Sequence, residues 1–177
     1  MKKLQLLLLV TALVLTTSIV KSQETFGEEE KKGSTTFNPN FIKGKSQIAI
    51  DGLSFGWGYG RVIASIGARY GYFVTDNNLL FINGEFSTYG SGYQGYKLGL
   101  NYRRYFTLKE NISPYAQIGF GGGIQNFYNK ESERFGEVTL GGGVTFKVKK
   151  FGFDLGMQLE IWDNVNFKPT FGVSYTF

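Results

Sequence analysis

The sequence predicts an all-β protein, an eight-stranded antiparallel up-and-down transmembrane β-barrel. In the last segment of the chain, every second residue from Val165 to Phe177 is apolar or aromatic, and the residues between them are small or polar. Because successive strand side chains point to opposite faces, one face of this segment suits lipid and the other suits a polar interior. Aromatic residues make up 17% of the chain, and 25 glycines occur with only 3 prolines, which favours curved strands with aromatic girdles.

The same alternation recurs from about residue 45 onward, in segments separated by polar or glycine-rich breaks. This pattern favours strands and hairpins over helices. The segments number eight, an even count as in bacterial single-chain barrels, and each is long enough to cross a membrane at a tilt. The predicted strands are Lys45–Phe55, Arg61–Phe73, Asn78–Tyr89, Gln94–Phe106, Ser113–Phe127, Gly136–Val148, Phe151–Trp162 and Val165–Phe177.

The second predicted strand divides into two unlike faces, whereas the first does not. In the second strand, Ile66 and Tyr70 share one face and Arg69 lies on the other. In the first strand, Ile48 falls on one face and Phe55 on the other, so the register of this strand stays open.

A soluble eight-stranded barrel of lipocalin type would show the same period with its faces reversed. The polar face of the predicted strands is largely glycine with few charges, and it would coat a soluble protein poorly. Together with an N-terminal export signal and the aromatic last residue, this composition favours a membrane barrel over a soluble one.

The first 44 residues predict an export signal and a lead-in. Residues 1–22 combine a lysine pair, a long apolar run and small residues, which is typical of a cleaved secretory signal. A retained membrane helix is the alternative, and Gln5 and the hydroxyl residues weaken it. Residues 23–44 are charged and aperiodic, which predicts a flexible periplasmic lead-in or, alternatively, a short partner-binding arm. The barrel then covers residues 45–177.

The composition excludes several kinds of chemistry. The chain has no cysteine, so disulfides and a lipid-modified N-terminal cysteine are excluded, and membrane attachment must come from the fold. It has no histidine, the usual general base, and without thiols only carboxylate-type metal ligands remain. We therefore expect no catalytic site, no cofactor and no metal. The formal net charge of +5 falls to +2 without the lysines of the predicted signal, too small an excess to indicate a nucleic-acid partner.

Charged residues on the polar strand faces predict a network that fills the lumen. Folding the hairpins about their turns places Glu85 opposite Lys97 and Glu160 opposite Lys168. Charge in a narrow lumen needs partners or water to offset its desolvation. The alternative is a small-solute path with a weak anion preference from a basic excess. The predicted network comprises Arg61, Arg69, Glu85, Lys97, Arg103, Glu137, Asp154, Glu160 and Lys168.

Two glycine triplets, at 121–123 and 141–143, lie symmetrically about a predicted loop, so folding is expected to stack one on the other. They lack the lysine and the spacing of a phosphate-binding loop. Glycine here permits bending and leaves lumen space for arginines across the barrel. Gly122 and Gly142 would also flatten the lipid-facing wall into a candidate docking patch for another membrane protein.

Three stretches of the chain resemble the small outer-membrane β-barrel domains of the OmpA- and OmpX-like group. Residues 68–78 resemble the second strand and its tight turn, residues 98–106 the fourth strand, and residues 113–121 the fifth. The resemblance covers most of the chain after Lys45. It implies that both ends of the barrel face the periplasm, which leaves outside loops that are short for an adhesin or receptor.

The end of the last strand matches the assembly signal of this group. Phe171, Val173, Tyr175 and Phe177 occupy the positions of that signal. The resemblance implies that the barrel-assembly machinery recognises this strand during insertion, and that the protein resides in the bacterial outer membrane in contact with outer-membrane lipid.

The function that these observations favour is structural. We expect a monomeric barrel that supports envelope integrity or serves as an accessory subunit of a larger outer-membrane complex, without catalysis. The alternative is a narrow diffusion barrel for small or hydrophobic solutes. A lipid-modifying enzyme ranks third, because small barrel enzymes of that kind rely on histidine, which this chain lacks.

Overall fold

The computed structural model describes residues 41–58, 61–89, 92–106, 111–127, 131–163 and 165–177, with side chains except at 52–58, 61–63, 89 and 127. The predicted signal, 1–22, and most of the predicted lead-in, 23–44, therefore lie outside the described residues. Among the described residues, no helix is long and apolar enough to cross a membrane.

Eight antiparallel strands close into a barrel in chain order. Each strand pairs with the next one along the chain, and the first completes the ring by pairing with the last. The predicted fold class is confirmed, and the strand ends lie within three residues of the predicted ones. The strands are β1 (Ser46–Gly58), β2 (Arg61–Thr75), β3 (Asn78–Tyr89), β4 (Tyr93–Tyr105), β5 (Ile112–Phe127), β6 (Glu133–Val148), β7 (Phe151–Ile161) and β8 (Val165–Thr176).

The wall of the barrel carries apolar side chains outside and mostly polar side chains inside, as predicted, with Phe73, Leu79 and Phe81 among the inward exceptions. In β4, Leu98 and Leu100 are 74% and 51% exposed, whereas Asn101 and Arg103 are buried. In β7, the outward residues are likewise apolar, and Asp154 between them is buried. A lipocalin-type barrel would show the reverse arrangement, so the described strands exclude it.

An irregularity in β1 explains its ambiguous sequence pattern. Ile48 and Ile50 are exposed on the outer face, and Ala49 between them is buried. The pairing with β2 then shifts between Asp51 and Ser54, as at a β-bulge. Because side chains alternate with a period of two, one extra residue exchanges the positions that belong to the two faces. A strict alternation therefore does not run through this strand.

The two ends of the barrel are distinguished by the strand ends that they carry. We name the end at which β1 begins and β8 ends the terminal end, and the other the distal end. At the terminal end, two-residue turns join β2 to β3 and β6 to β7. Asn77 and Lys149 in these turns have φ angles of 67° and 56°. Asparagine adopts this left-handed conformation more readily than lysine does.

A segment that precedes β1 closes the terminal mouth of the barrel. Phe41 is 1% exposed, and its ring stacks on Tyr105 and Phe73 at centroid distances of 3.9 Å and 5.2 Å. The Asn77 N–H donates a hydrogen bond to the Phe41 carbonyl at 3.3 Å. The described end of the predicted lead-in thus packs on the barrel. The buried apolar cluster at this mouth comprises Phe41, Phe73, Leu79, Phe81, Tyr105 and Tyr115.

Candidate functional site in the barrel lumen

The described charged side chains of the lumen lie in two clusters at different depths. The terminal cluster, nearer the terminal end, is formed by Asp51, Arg69, Arg103 and Asp154. The distal cluster, nearer the distal end, is formed by Glu85, Lys97, Glu137, Glu160 and Lys168. Each residue of a cluster comes from a different strand, so neither cluster exists until the barrel closes.

Asp154 is the centre of the terminal cluster. Its carboxylate accepts hydrogen bonds from the Arg69 guanidinium, from Arg103 Nη1 at 2.8 Å and from Thr145 Oγ1 at 2.5 Å. Arg69 also pairs with Asp51 at 3.1 Å. Both arginines are buried, and a buried guanidinium that loses its water needs a charged, hydrogen-bonded partner. Asp154 therefore bonds to both buried arginines, and together with Asp51 it balances their two positive charges.

Neutral side chains also position Arg103. Its Nε and Nη2 donate to Gln117 Oε1 at 3.0 Å and 2.7 Å, and its guanidinium lies 3.9 Å from the ring centroid of Tyr115. A Cβ at Gly143 would come within 2.7 Å of the Tyr115 hydroxyl oxygen. The glycine therefore makes room for Tyr115, and Tyr115 in turn supports the arginine.

Lys97 is the centre of the distal cluster. Its Nζ lies 2.5 Å from Glu160 Oε1, 2.8 Å from Glu137 Oε1 and 3.6 Å from Glu85 Oε2. Lys168 pairs with Glu85 and lies 3.6 Å from Glu160 Oε1. Each ammonium group thus contacts at least two carboxylates. These contacts connect β3, β4, β6, β7 and β8 through their side chains.

One of the two predicted cross-strand pairs is confirmed, and the other is wrong in register. Glu85 faces Lys97 directly across β3 and β4. Lys168 faces Gln158 rather than Glu160, because the β7–β8 hairpin closes closer to β7 than predicted. The Lys168 side chain still reaches Glu160, since diagonal neighbours on one face lie within reach of long side chains.

Of the nine predicted network residues, the structure describes the side chains of all but Arg61. Arg61 begins β2, and its side chain lies outside the described residues. The remaining eight all form ion pairs within the two clusters. The two clusters contain five carboxylates and four cations. The described lumen therefore lacks the excess of positive charge that an anion preference would require. Among the described residues, no group of three acidic side chains could hold a metal ion.

Little space remains around the clusters. Cavities of about 30 Å³ beside Arg69 and Asp154, about 50 Å³ beside Lys97 and Trp162, and about 10 Å³ beside Asn101 lie along the lumen. One water molecule needs a cavity of about 10–15 Å³. The spaces therefore suit a few water molecules and are too small for an organic solute.

The two glycine triplets do not stack on each other. Gly122 faces Gly136, and Gly142 faces Ala116, because the β5–β6 hairpin closes closer to β5 than predicted. Gly142 thus lies beside a position six residues from Gly122 along β5, on the order of 20 Å away. The two glycines do not form one patch.

The residues of the predicted assembly signal lie on the outer face of β8, towards the terminal end. Phe171, Val173 and Phe177 are exposed there, and the Tyr175 ring lies 5.2 Å from that of Phe151. Recognition of this face by the assembly machinery stays a prediction.

The sequence patterns do not single out Asp51, Tyr115 or Phe41. Asp51 borders the bulge in β1, where the face of a residue cannot be read from alternation. Tyr115 is an aromatic residue on a polar strand face, and that mismatch is the available signal. Phe41 stands beside Ile42 in a largely polar lead-in, which is a weaker signal of the same kind.

No protein-family model and no curated protein matches the chain. Solved structures do match it. The N-terminal β-barrel domain of Pseudomonas aeruginosa OprF has 18% sequence identity and a TM-score of 0.61, over 76% of this chain and 98% of that one. Neisserial surface protein A has 14% identity and a TM-score of 0.60, with the same coverage of 76% and 98%.

A third structure with this fold is the outer-membrane enzyme PagL, at 12% identity and a TM-score of 0.51, over 74% of this chain and 98% of that one. The chain thus has the fold of small eight-stranded outer-membrane β-barrels. At these identities the likeness concerns the fold alone, and a role has to be argued from the lumen and the surface.

Proposed function

We propose that the protein is a monomeric, non-conducting barrel of the bacterial outer membrane with a structural role in the envelope. The filled lumen is the observation that carries this proposal. Two ion-pair clusters cross the bore, and Phe41 covers its terminal mouth. An eight-stranded barrel has an interior just wide enough for its own side chains, and here the described lumen has little room beyond them.

The outer face supports the membrane location. Its apolar residues are widely exposed, with Phe120 at 64% and Ile82 at 60%, and surface of this kind is stable only against hydrocarbon or a partner. Export by the predicted signal, residues 1–22, would carry the chain across the inner membrane, from where the assembly machinery would insert it. In the topology of similar barrels, the terminal end faces the periplasm.

A role without catalysis fits the chemistry of the lumen. PagL shows that an enzyme can have this fold, so the argument rests on residues. The chain has no histidine or cysteine, and every carboxylate of the two clusters forms an ion pair with a lysine or arginine. Such groups are poorly placed to transfer protons. Because Gly122 and Gly142 lie apart, the geometry also favours the structural role over an accessory subunit docked through both glycines.

In planar lipid bilayers, the purified protein is expected to give no stable single-channel steps, because the ion pairs of both clusters obstruct the bore. A wide porin added to the same bilayer shows that the assay detects channels. Stable steps that vanish in Arg103→Ala or Lys97→Ala would contradict the structural role and would support the diffusion barrel.

Phe177→Ala is expected to leave unfolded precursor in the periplasm, since the proposed assembly signal ends on this side chain. Heat-modifiable mobility in gels and membrane fractionation measure the inserted fraction. Phe151→Ala is the matched control, because Phe151 is similarly exposed, at 50% against 47%, but lies on β7. Normal insertion of Phe177→Ala would refute the signal.

A further inference from the structure

The described charges at the two barrel ends have opposite signs. The rim of the terminal end carries one acidic side chain, Asp76, and six basic ones, whereas the distal end carries Glu131, Glu133 and Asp163 against Arg134. A rim of this kind attracts anions at the terminal end of the barrel. The basic side chains of the rim are Lys43, Lys45, Arg104, Lys147, Lys149 and Lys150.

Three of these lysines flank the end of β8, one on the β1 side and two on the β7 side. The Thr176 N–H donates to the Lys150 carbonyl at 2.9 Å, which places the β6–β7 turn beside β8. On the other side, Ser46 and Phe177 exchange backbone hydrogen bonds of 2.9 Å and 3.0 Å, which places Lys45 next to the same strand end. Lys45, Lys149 and Lys150 are all exposed, and none of them pairs with a carboxylate of the described residues.

Aromatic rings lie directly beside these lysines. The Tyr175 ring lies 5.2 Å from that of Phe151 and 6.1 Å from that of Phe177, and Lys150 Nζ lies 5.8 Å from the Tyr175 centroid. Aromatic side chains at the edge of an apolar band, with lysines just beyond, mark a membrane interface. We name this group the basic corner. Its members are Lys45, Lys149, Lys150, Phe151, Tyr175 and Phe177.

The conformation of Lys149 is a second, independent observation. Its φ angle of 56° is one that glycine or asparagine adopts at lower cost. Asn77, the second residue of the β2–β3 turn, has a similar φ angle of 67°. A residue that is unfavourable for its local structure points to a function of the side chain. The exposed lysine at this turn thus argues that its charge is used.

We propose that the basic corner binds the headgroup of an acidic phospholipid in the leaflet at the terminal end. The lysines contact the phosphate, and the outward rings of Phe151 and Phe177 contact the upper acyl chains. The lipid is favoured over a soluble anion because the corner continues into the apolar outer wall through Phe153 and Val173. This inference rests on the proposed membrane location.

The experiment measures lipid retention by native mass spectrometry after reconstitution into nanodiscs. The probes are phosphatidylglycerol and phosphatidylcholine with identical acyl chains. The wild-type protein is expected to retain phosphatidylglycerol in preference to phosphatidylcholine. Changing any one corner lysine to glutamine is expected to weaken the binding of phosphatidylglycerol about fivefold. Lys43→Gln and Arg134→Gln remove the same charge outside the corner, and they are expected to leave retention within about twofold of the wild type.

Lys149→Gly separates lipid binding from stability. The variant is expected to fold more stably, because glycine suits the turn, and to bind phosphatidylglycerol more weakly. Three outcomes would each overturn the proposal. The wild type could retain the two lipids equally, Lys149→Gly could retain phosphatidylglycerol as well as the wild type, or Lys43→Gln could lose as much phosphatidylglycerol as the corner variants do. Failure of the wild type to enter nanodiscs would instead refute the membrane location, so the two failures are distinguishable.

Discussion

Replacing Asp154 with alanine is expected to destabilise the barrel by about 3–5 kcal/mol, because it leaves the buried Arg69 and Arg103 without the carboxylate that they share. Arg69 keeps Asp51, but Arg103 keeps only neutral partners among its described hydrogen bonds, including Gln117. The measurement is urea unfolding of protein folded into lipid vesicles, followed by tryptophan fluorescence and by gel mobility.

Asp163→Ala is the matched control for this prediction. It removes the same side chain from an exposed position at the distal end, and it is expected to change stability by about 0.5 kcal/mol or less. Asp154→Asn keeps the side-chain shape and removes the charge, so its effect should fall between the two. If Asp154→Ala and Asp163→Ala unfold at the same urea concentration, the terminal cluster does not stabilise the fold.

Phe41→Ala is expected to lower the free energy of unfolding by about 3–5 kcal/mol, the range for removing a buried phenylalanine ring. The substitution removes the stacking on Tyr105 and Phe73 and leaves a cavity at the terminal mouth. It also removes the ring that lies 4.6 Å from Lys147 Nζ. The same urea titration measures the loss, and limited proteolysis of the segment before β1 reports whether it has left the mouth.

Ile42→Ala tests whether the effect depends on burial rather than on losing any apolar side chain. Ile42 is the next residue and is 46% exposed, so its replacement is expected to lower the free energy of unfolding much less than Phe41→Ala does. Equal effects of the two substitutions would show that Phe41 does not close the barrel. Phe41→Leu restores part of the buried volume and should recover part of the stability.

The sequence predicts the strands well because alternation is a local property. Each strand has one face towards lipid and the other towards the lumen. Its side chains therefore alternate between apolar and polar with a period of two. The positions of Arg69, Arg103 and Asp154 on inward faces follow from this period alone. Alternation fails at the bulge after Asp51, where one extra residue exchanges the two faces. It also fails in β3, where the buried Leu79 and Phe81 are apolar like their exposed neighbours.

The register of the hairpins is less accessible from sequence. The pairings of Lys168 with Gln158 and of Gly122 with Gly136 depend on where each hairpin closes. Loop residues do not fix that point, since several turn lengths fit the same polar stretch. An error of one residue in the closing point moves every pair by two, which keeps the face and changes the partner.

The sequence by itself thus determined the number of strands, their faces and the polar character of the lumen. The pairing of Glu85 with Lys97 also followed from the sequence, but only the tertiary structure decided which charges meet between strands that are not neighbours. Arg69 and Asp154 are 85 residues apart and come from strands that are not neighbours, so they meet only across the closed barrel. Phe41 reaches the mouth in the same way, because the apolar site that buries it is built from β2, β3, β4 and β5 together.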